Sequence, residues 1–424
     1  MPNRRVIIFF LFILTTCLPL WCCESDYAEI NEECYFLLDL EFLKSLIENS
    51  QDGKNPPSKH LIPIDLGWQQ WENGRLVEFC CSTSTNTECR MEYELSGHLP
   101  IEIGNLVELR YISLESNNLN GALPIEIGNL EKLEELSLSS NNMRGNIPKE
   151  IGNMISLKTL ALKGNNFSGQ LPMEITKLKN MEWMYLSSNQ FSGILPEDLG
   201  KLLKFKYLNF SNNSFTGSIP VSFGNLVDLQ YLNLSQNQLT GNIPSEIGNL
   251  NIFRLNLELN QLTGKIPSEL GKLDMLVSLN LASNQLNGKI PKSFVNLNRL
   301  KQLELHNNKL NGKLPQVKSG WKVLEELNVS NNELRGSIVN GLGKLDSLKS
   351  INLSFNYMEG SIPINLINNE HLELLYIHVN NMNGNIPEVY CQRENPIKFL
   401  FYNNSFCPPF PDCMKYIGKQ NCKN

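Results

Sequence analysis

Cysteine is missing from the whole middle of this 424-residue chain, with none between Cys89 and Cys391. Its eleven cysteines sit at the ends: Cys17, Cys22 and Cys23, then Cys34, Cys80, Cys81 and Cys89, and finally Cys391, Cys407, Cys413 and Cys422. Two even sets flanking a cysteine-free body read as the disulfide-stapled caps of an exported protein. Zinc is the rival reading, but no Cys-x-x-Cys pair is present and no two of the five histidines stand at zinc-finger spacing. An excess of one charge is also lacking. With 37 Lys and Arg against 43 Asp and Glu the formal charge is only -6, which excludes the basic footprint of a nucleic-acid binder. Apolar residues at 41% exclude a disordered chain.

Long apolar runs are absent after the first residues. The last apolar cluster, Phe399 to Tyr402, is far too short to span a membrane, and there is no tail for a lipid-anchor signal. Catalytic signatures are missing too: no G-x-S-x-G elbow, no H-E-x-x-H zinc site and no phosphate loop. The expectation is a protein that is not an enzyme, with no cofactor and no nucleic-acid partner.

What is present begins with an export signal. Arg4 and Arg5 precede the apolar run Val6 to Leu14, and Glu24 and Asp26 follow. The signal is expected over residues 1–23; read instead as an uncleaved anchor, the same charge asymmetry still exports everything downstream.

From Leu109 the text L-x-x-L-x-L-x-x-N-x-L-x-G-x-I-P-x-x-I-G-N-L recurs, its asparagine running from Asn117 to Asn380 at intervals of 24 with one of 23. That makes twelve full turns after a partial one from Leu95 to Leu106. Each recurring type has a physical task. The leucines of L-x-L alternate as in a half-buried strand. The asparagine can satisfy backbone groups where the chain leaves the strand, and stacked copies form a ladder. Glycine from Gly121 to Gly384 permits a bend, and proline from Pro124 to Pro387, replaced only by Val339, stops helix continuation. The expected organisation is a signal (1–23), an N-terminal cysteine cap (24–94), repeats (95–390) and a C-terminal cysteine cap (391–424). Stacked turns contact only their neighbours, so the shape is expected to be a curved rod.

These repeats, quoted as "LQYLNLSQNQLTGNIPSEIGNL" (229–250) and "LEELSLSSNNMRGNIPKEIGNM" (133–154), resemble the plant-type extracellular leucine-rich repeats of receptor-like kinases, receptor-like proteins and polygalacturonase-inhibiting proteins. The resemblance implies an α/β solenoid, a curved leucine-rich-repeat right-handed superhelix with disulfide-stapled caps. It also implies extra strands from the L-x-G-x-I-P text and ligands on the concave or lateral surface. Phe36, Leu40, Leu43 and Ile47 on one helical face, then Trp68, Trp71 and Cys80-Cys81, resemble the N-terminal cap. By that likeness Cys34 pairs with Cys80, Cys81 with Cys89, Cys391 with Cys407 and Cys413 with Cys422. The tryptophan and glycine usual inside the cap are absent from "CCSTSTNTEC", which leaves the source lineage open.

Candidate sites are few. His306 and His378 share a repeat position but lie three turns apart, roughly 14 Å at strand spacing, so they cannot share a metal. The carboxylate pairs Glu134 with Glu135 and Glu325 with Glu326 invite comparison with glycoside hydrolysis, against the simpler reading of solvated charges on a strand face. Sequons stand at Asn166, Asn209, Asn212, Asn233, Asn328, Asn352 and Asn403. Immediately before the L-x-L pair, successive turns carry Trp183, Tyr207, Tyr231 and Arg254, with Tyr185 beside Trp183. These five are the expected ligand-binding residues on the concave strand face, the rival being simple packing between neighbouring tyrosines. Glycan on Asn209 and Asn233 would cover them and move the expected site to the lateral face. The expected function is a secreted, extracellular or wall-associated recognition module for a protein, peptide or wall polysaccharide, in defence or in signalling beside a membrane receptor. The alternative is a structural or adhesive component of the matrix or wall. A recognition module shows one localised non-consensus patch, whereas a structural array is uniform.

Overall fold

A computed structural model describes residues 23–83, 89–318, 320–392, 397–414 and 417–422. Residues 1–22, with the body of the expected export signal and Cys17 and Cys22, lie outside the described residues.

One turn shows how the repeat folds. Tyr207–Asn209 forms a short strand whose Leu208 is fully buried, as alternation requires. The chain then swings out through Asn212, in the left-handed region at φ 54, and the part-buried ladder asparagine Asn213 follows. Ser214–Ser218 makes a second strand, and Pro220 launches the 3-10 turn Val221–Asn225, whose Phe223 faces the core. Glycine inside that turn is required by close stacking: a Cβ on Gly224 would stand 2.5 Å from both Cβ and O of Glu246 in the next turn.

Stacked turns build two kinds of sheet. Among the described residues, the first strands make a continuous 15-stranded sheet from Trp68–Glu72 to Lys398–Leu400, parallel apart from its first antiparallel pair. Its outward side is the inner, concave face. The second strands line one lateral face in a seven-stranded and a six-stranded sheet, the extra strands that the resemblance implies. The break between them, at Thr240 to Asn287, falls beside the single 23-residue spacing from Asn237 to Asn260. Leucines fill the space between, with a spine of stacked rings in which the centroids of Phe167 and Phe191 lie 6.1 Å apart and those of Phe191 and Phe215 6.2 Å.

The asparagine ladder has the expected chemistry. Asn237 Nδ2 donates to the carbonyls of Phe210 (3.0 Å), Leu234 (3.1 Å) and Ser235 (3.1 Å), while its Oδ1 accepts the Phe215 N–H at 3.0 Å. The ladder continues one turn further than the repeat text. Asn404, only 1% exposed, accepts from Met382 N–H and donates to Ile377 O, with the strand Lys398–Leu400 in front of it. The C-terminal cap therefore contains a thirteenth repeat strand.

The caps correct the expected cysteine pairing. The disulfides are Cys23–Cys34, Cys80–Cys89, Cys391–Cys413 and Cys407–Cys422, and Cys81 is a free, buried thiol. Cys23, expected within the signal, closes the hairpin of Tyr27–Ile30 and Glu33–Phe36 and so belongs to the cap. At the double cysteine, register decides. Phe79 lies opposite Ile112 and Cys80 opposite Ser113, so Cys81 occupies the inward leucine position beside Leu114, while Cys80 is left to reach Cys89. At the far end Cys391 sits in the outer 3-10 turn Glu388–Gln392 and Cys407 just after the lateral strand Ser405–Phe406, on different sides of the last turn. The N-terminal helix, Leu37–Asn49, buries Leu40, Leu43 and Ile47 as expected, along with Phe42 and Leu46, while Phe36 ends the preceding strand.

Burial pushes the Cys81 thiol up to about 12, so almost no thiolate exists at neutral pH. Maleimide is expected to leave Cys81 unmodified in the native protein and to label it once the protein is unfolded. Peptide mapping checks this, and rapid native labelling would contradict the buried leucine-position assignment.

Candidate functional site

On the concave face most outward positions carry small polar residues or charges arranged in register. One position before the strand proper, Glu134 pairs with Lys158, Glu182 with Lys206, and Glu325 with both Lys301 and Lys349. The two lysines hold the Glu325 carboxyl below the usual carboxylate range. These glutamates are links in a charge ladder across neighbouring turns, in keeping with solvated charges on a strand face at Glu134 and Glu325. His306 Nδ1 lies 3.0 Å from Glu304 and 3.1 Å from Asn328 Nδ2, while His378 stacks on Tyr402 with centroids 4.6 Å apart.

The aromatic run interrupts this regularity. Trp183, Tyr207, Tyr231 and Arg254 are consecutive register partners, and Tyr185 stands opposite Asn209. Tyr207 and Tyr231 stack almost parallel, 4.1 Å between centroids at 3°, and Tyr185 leans on Tyr207 at 4.7 Å and 35°. Burial, then the Tyr231 hydroxyl, push the Tyr207 phenol well above its ordinary range. Arg254 is exposed at the end of the row.

Trp183 opens the row. Its ring carries Lys206 Nζ 5.0 Å above the centroid and, with Tyr185, walls a hollow of about 600 Å³ on the N-terminal side. Small side chains line the hollow, Thr159 in register with Trp183, and Ala161 and Ser137 in register with Tyr185. Glu115 and Glu135 face it. Ser137 Oγ donates to Glu115, and burial, helped by the Glu115 charge, raises the Glu135 carboxyl above its ordinary range. Sequence reasoning missed this feature; its signal is the drop to serine and alanine at strand positions just before a tryptophan.

The sequons sort by exposure. Asn166, Asn212 and Asn403 are exposed, whereas Asn209, Asn233, Asn328 and Asn352 lie in concave strands, where each Oδ1 accepts the N–H two residues on. Asn233 is only 9% exposed and donates to Tyr231 Oη at 3.3 Å. Glycopeptide mass spectrometry of secreted protein is expected to find glycan on Asn166, Asn212 and Asn403 and a bare Asn233. Full occupancy at Asn209 and Asn233 would bury the aromatic row and move the site to the lateral face.

Comparison with known proteins agrees with the repeat fold. Residues 87–191 match a leucine-rich repeat region, 179–239 match a leucine rich repeat, and 251–273, 275–297 and 323–345 match single leucine rich repeats, together more than half of the chain. No curated protein matches the sequence. Among solved structures the chain is similar to the plant peptide hormone receptor RGFR1 in complex with RGF2, at 34% identity and TM-score 0.74 over 78% of this chain and 52% of that one. It is also similar to the ectodomain of the membrane receptor kinase GASSHO1/SCHENGEN3 from Arabidopsis thaliana in complex with CASPARIAN STRIP INTEGRITY FACTOR 2, at 31% identity and TM-score 0.74 over 87% and 47%. A repeat protein of Leptospira interrogans is 28% identical with TM-score 0.58 over 87% and 93%. The chain thus spans about half the length of the two receptor ectodomains it matches.

Proposed function

Since this chain belongs to the leucine-rich-repeat family, with plant receptor ectodomains among its structural neighbours, we propose that it is an extracellular recognition module. It binds a peptide or an exposed segment of a protein on the concave face, between the Trp183 hollow and Arg254. The observation that carries this reading is the localised row itself. A structural array would keep uniform strand positions, whereas here Tyr185, Tyr207 and Tyr231 stack into a half-buried apolar surface bounded by a hollow on one side and a cation on the other.

Tyrosine and tryptophan give large, rigid contact area at little entropic cost, and with arginine they are the side chains that most often dominate binding energy. Four strands from Trp183 to Arg254 span roughly 14 Å at strand spacing, the reach of about four or five extended residues. Solved neighbours in complex with a peptide hormone support a peptide as the occupant. No helix among the described residues is long and apolar enough to cross a membrane. The function is binding and not turnover, and the proposal assigns no catalytic residue.

Selection of displayed random peptides on the folded protein tests the proposal even though the natural ligand is unidentified. Peptides enriched on the wild type are expected to be lost on a Trp183→Ala, Tyr207→Ala variant that keeps its melting temperature. Equal enrichment on both proteins would overturn it.

A further inference from the structure

On the lateral face, the position that follows each repeat glycine is uncharged from Ala122 to Asn242. It is then lysine in three successive turns, Lys265, Lys289 and Lys313, and uncharged again at Ser337 and Ser361. All three lysines are exposed, and none forms an ion pair with a described carboxylate. The contrast with the concave face is direct. There Lys158, Lys206, Lys301 and Lys349 each alternate with a glutamate of the adjacent turn, while here like charge is stacked on like charge, an arrangement that costs stability on neighbouring strands.

The lysine stems are laid down in an ordered way. A Cβ built on Gly288 would stand 3.0 Å from Lys265 Cγ, one on Gly312 3.0 Å from Lys289 Cγ, and one on Gly336 3.1 Å from Lys313 Cγ. Each stem therefore lies across the bare glycine backbone of the next turn, which fixes its path and lowers the entropy lost when the ammonium binds. Lys265 and Lys289 line a groove of about 820 Å³ together with Asn287, Asn311, Pro267 and Pro291. Lys309 is the register partner of Asn287 and Glu333 that of Asn311, while Arg335 lies over the Tyr357 ring.

We propose that this row binds a linear acidic polysaccharide carrying one carboxylate per sugar, laid across the strands with successive carboxylates on Lys265, Lys289 and Lys313. The cations repeat at the strand spacing of ~4.8 Å, of the order of the advance of one extended sugar, and the Asn287 and Asn311 amides are placed to bond sugar hydroxyls. A nucleic-acid duplex fits less well, because its phosphates wind around a helix axis and do not run along a straight row. An anionic membrane is usually met by clusters of about four to eight cations. The row lies on a different face from the aromatic site, so this inference stands whether or not that site binds a peptide.

The test uses the folded protein with oligogalacturonate of about ten sugars, the same oligomer with its carboxylates methyl-esterified, vesicles of phosphatidylcholine with phosphatidylserine, and duplex DNA. Oligogalacturonate is expected to bind, to weaken steeply with salt, and to lose at least tenfold in affinity in a Lys265→Gln, Lys289→Gln, Lys313→Gln variant of unchanged melting temperature. The esterified oligomer should not bind, and a Trp183→Ala variant should bind like the wild type. Undiminished binding by the triple variant, equal binding of the esterified oligomer, or tighter binding of vesicles or DNA would each overturn the proposal.

Discussion

Replacing Asn237 with leucine is expected to destabilise the protein by about 2–6 kcal/mol, towards the upper end for single substitutions. Two costs add. The buried Phe215 N–H loses its Asn237 Oδ1 acceptor, worth about 1–3 kcal/mol. A branched apolar side chain must also fit a slot shaped for an amide, for about another 1–3 kcal/mol. The carbonyls suffer less, because each is shared between turns: Phe210 O also accepts from Asn213 at 3.2 Å, and Leu234 O from Asn260 at 2.9 Å. Turns contact only their neighbours, so a fault in mid-stack weakens the coupling between the two halves. Thermal unfolding measures the effect. Gln238→Leu, one residue away but exposed, is the control and is expected to change stability by less than about 0.5 kcal/mol. Equal effects from the two substitutions would show that the ladder contributes little.

The second large effect concerns binding. Against a peptide selected on the wild type, the Trp183→Ala, Tyr207→Ala variant is expected to lose more than a hundredfold in affinity, about 3 kcal/mol, the combined scale of two aromatic anchors. Tyr207 is the middle ring, leaning on Tyr185 and stacked on Tyr231, so its loss disperses the apolar surface as well as removing contact area. Tyr207→Phe keeps the stack and removes only the hydroxyl. It should bind within a few fold of the wild type, and titration calorimetry would distinguish the two outcomes. A large loss in Tyr207→Phe would move the emphasis from stacking to hydrogen bonding.

The repeat was legible in the sequence because its period ties each residue type to one physical task. The inward leucines, the ladder asparagines and the register of Trp183, Tyr207, Tyr231 and Arg254 all follow from counting. The cysteine pairing was not legible, because four cysteines in a cap allow several connectivities and only register shows that Cys81 stands in a leucine position. The thirteenth strand escaped because its leucine positions are filled by Phe399 and Phe401, apolar but not leucine. The hollow beside Trp183 escaped for a different reason. It is made by what neighbouring strands lack, and a vacancy over Ser137 and Ala161 has meaning only once the turns are stacked. The lysine row could have been counted, but its missing counter-charges could not.

The most direct test of the concave site is photo-crosslinking from single positions. Ser278 is the register partner of Arg254 at the end of the aromatic row, and Ser218 is exposed on the lateral sheet. With benzoylphenylalanine installed at one or the other, a selected peptide should crosslink from Ser278 and not from Ser218. Crosslinking from Ser218 alone would place the ligand on the lateral face and contradict the account.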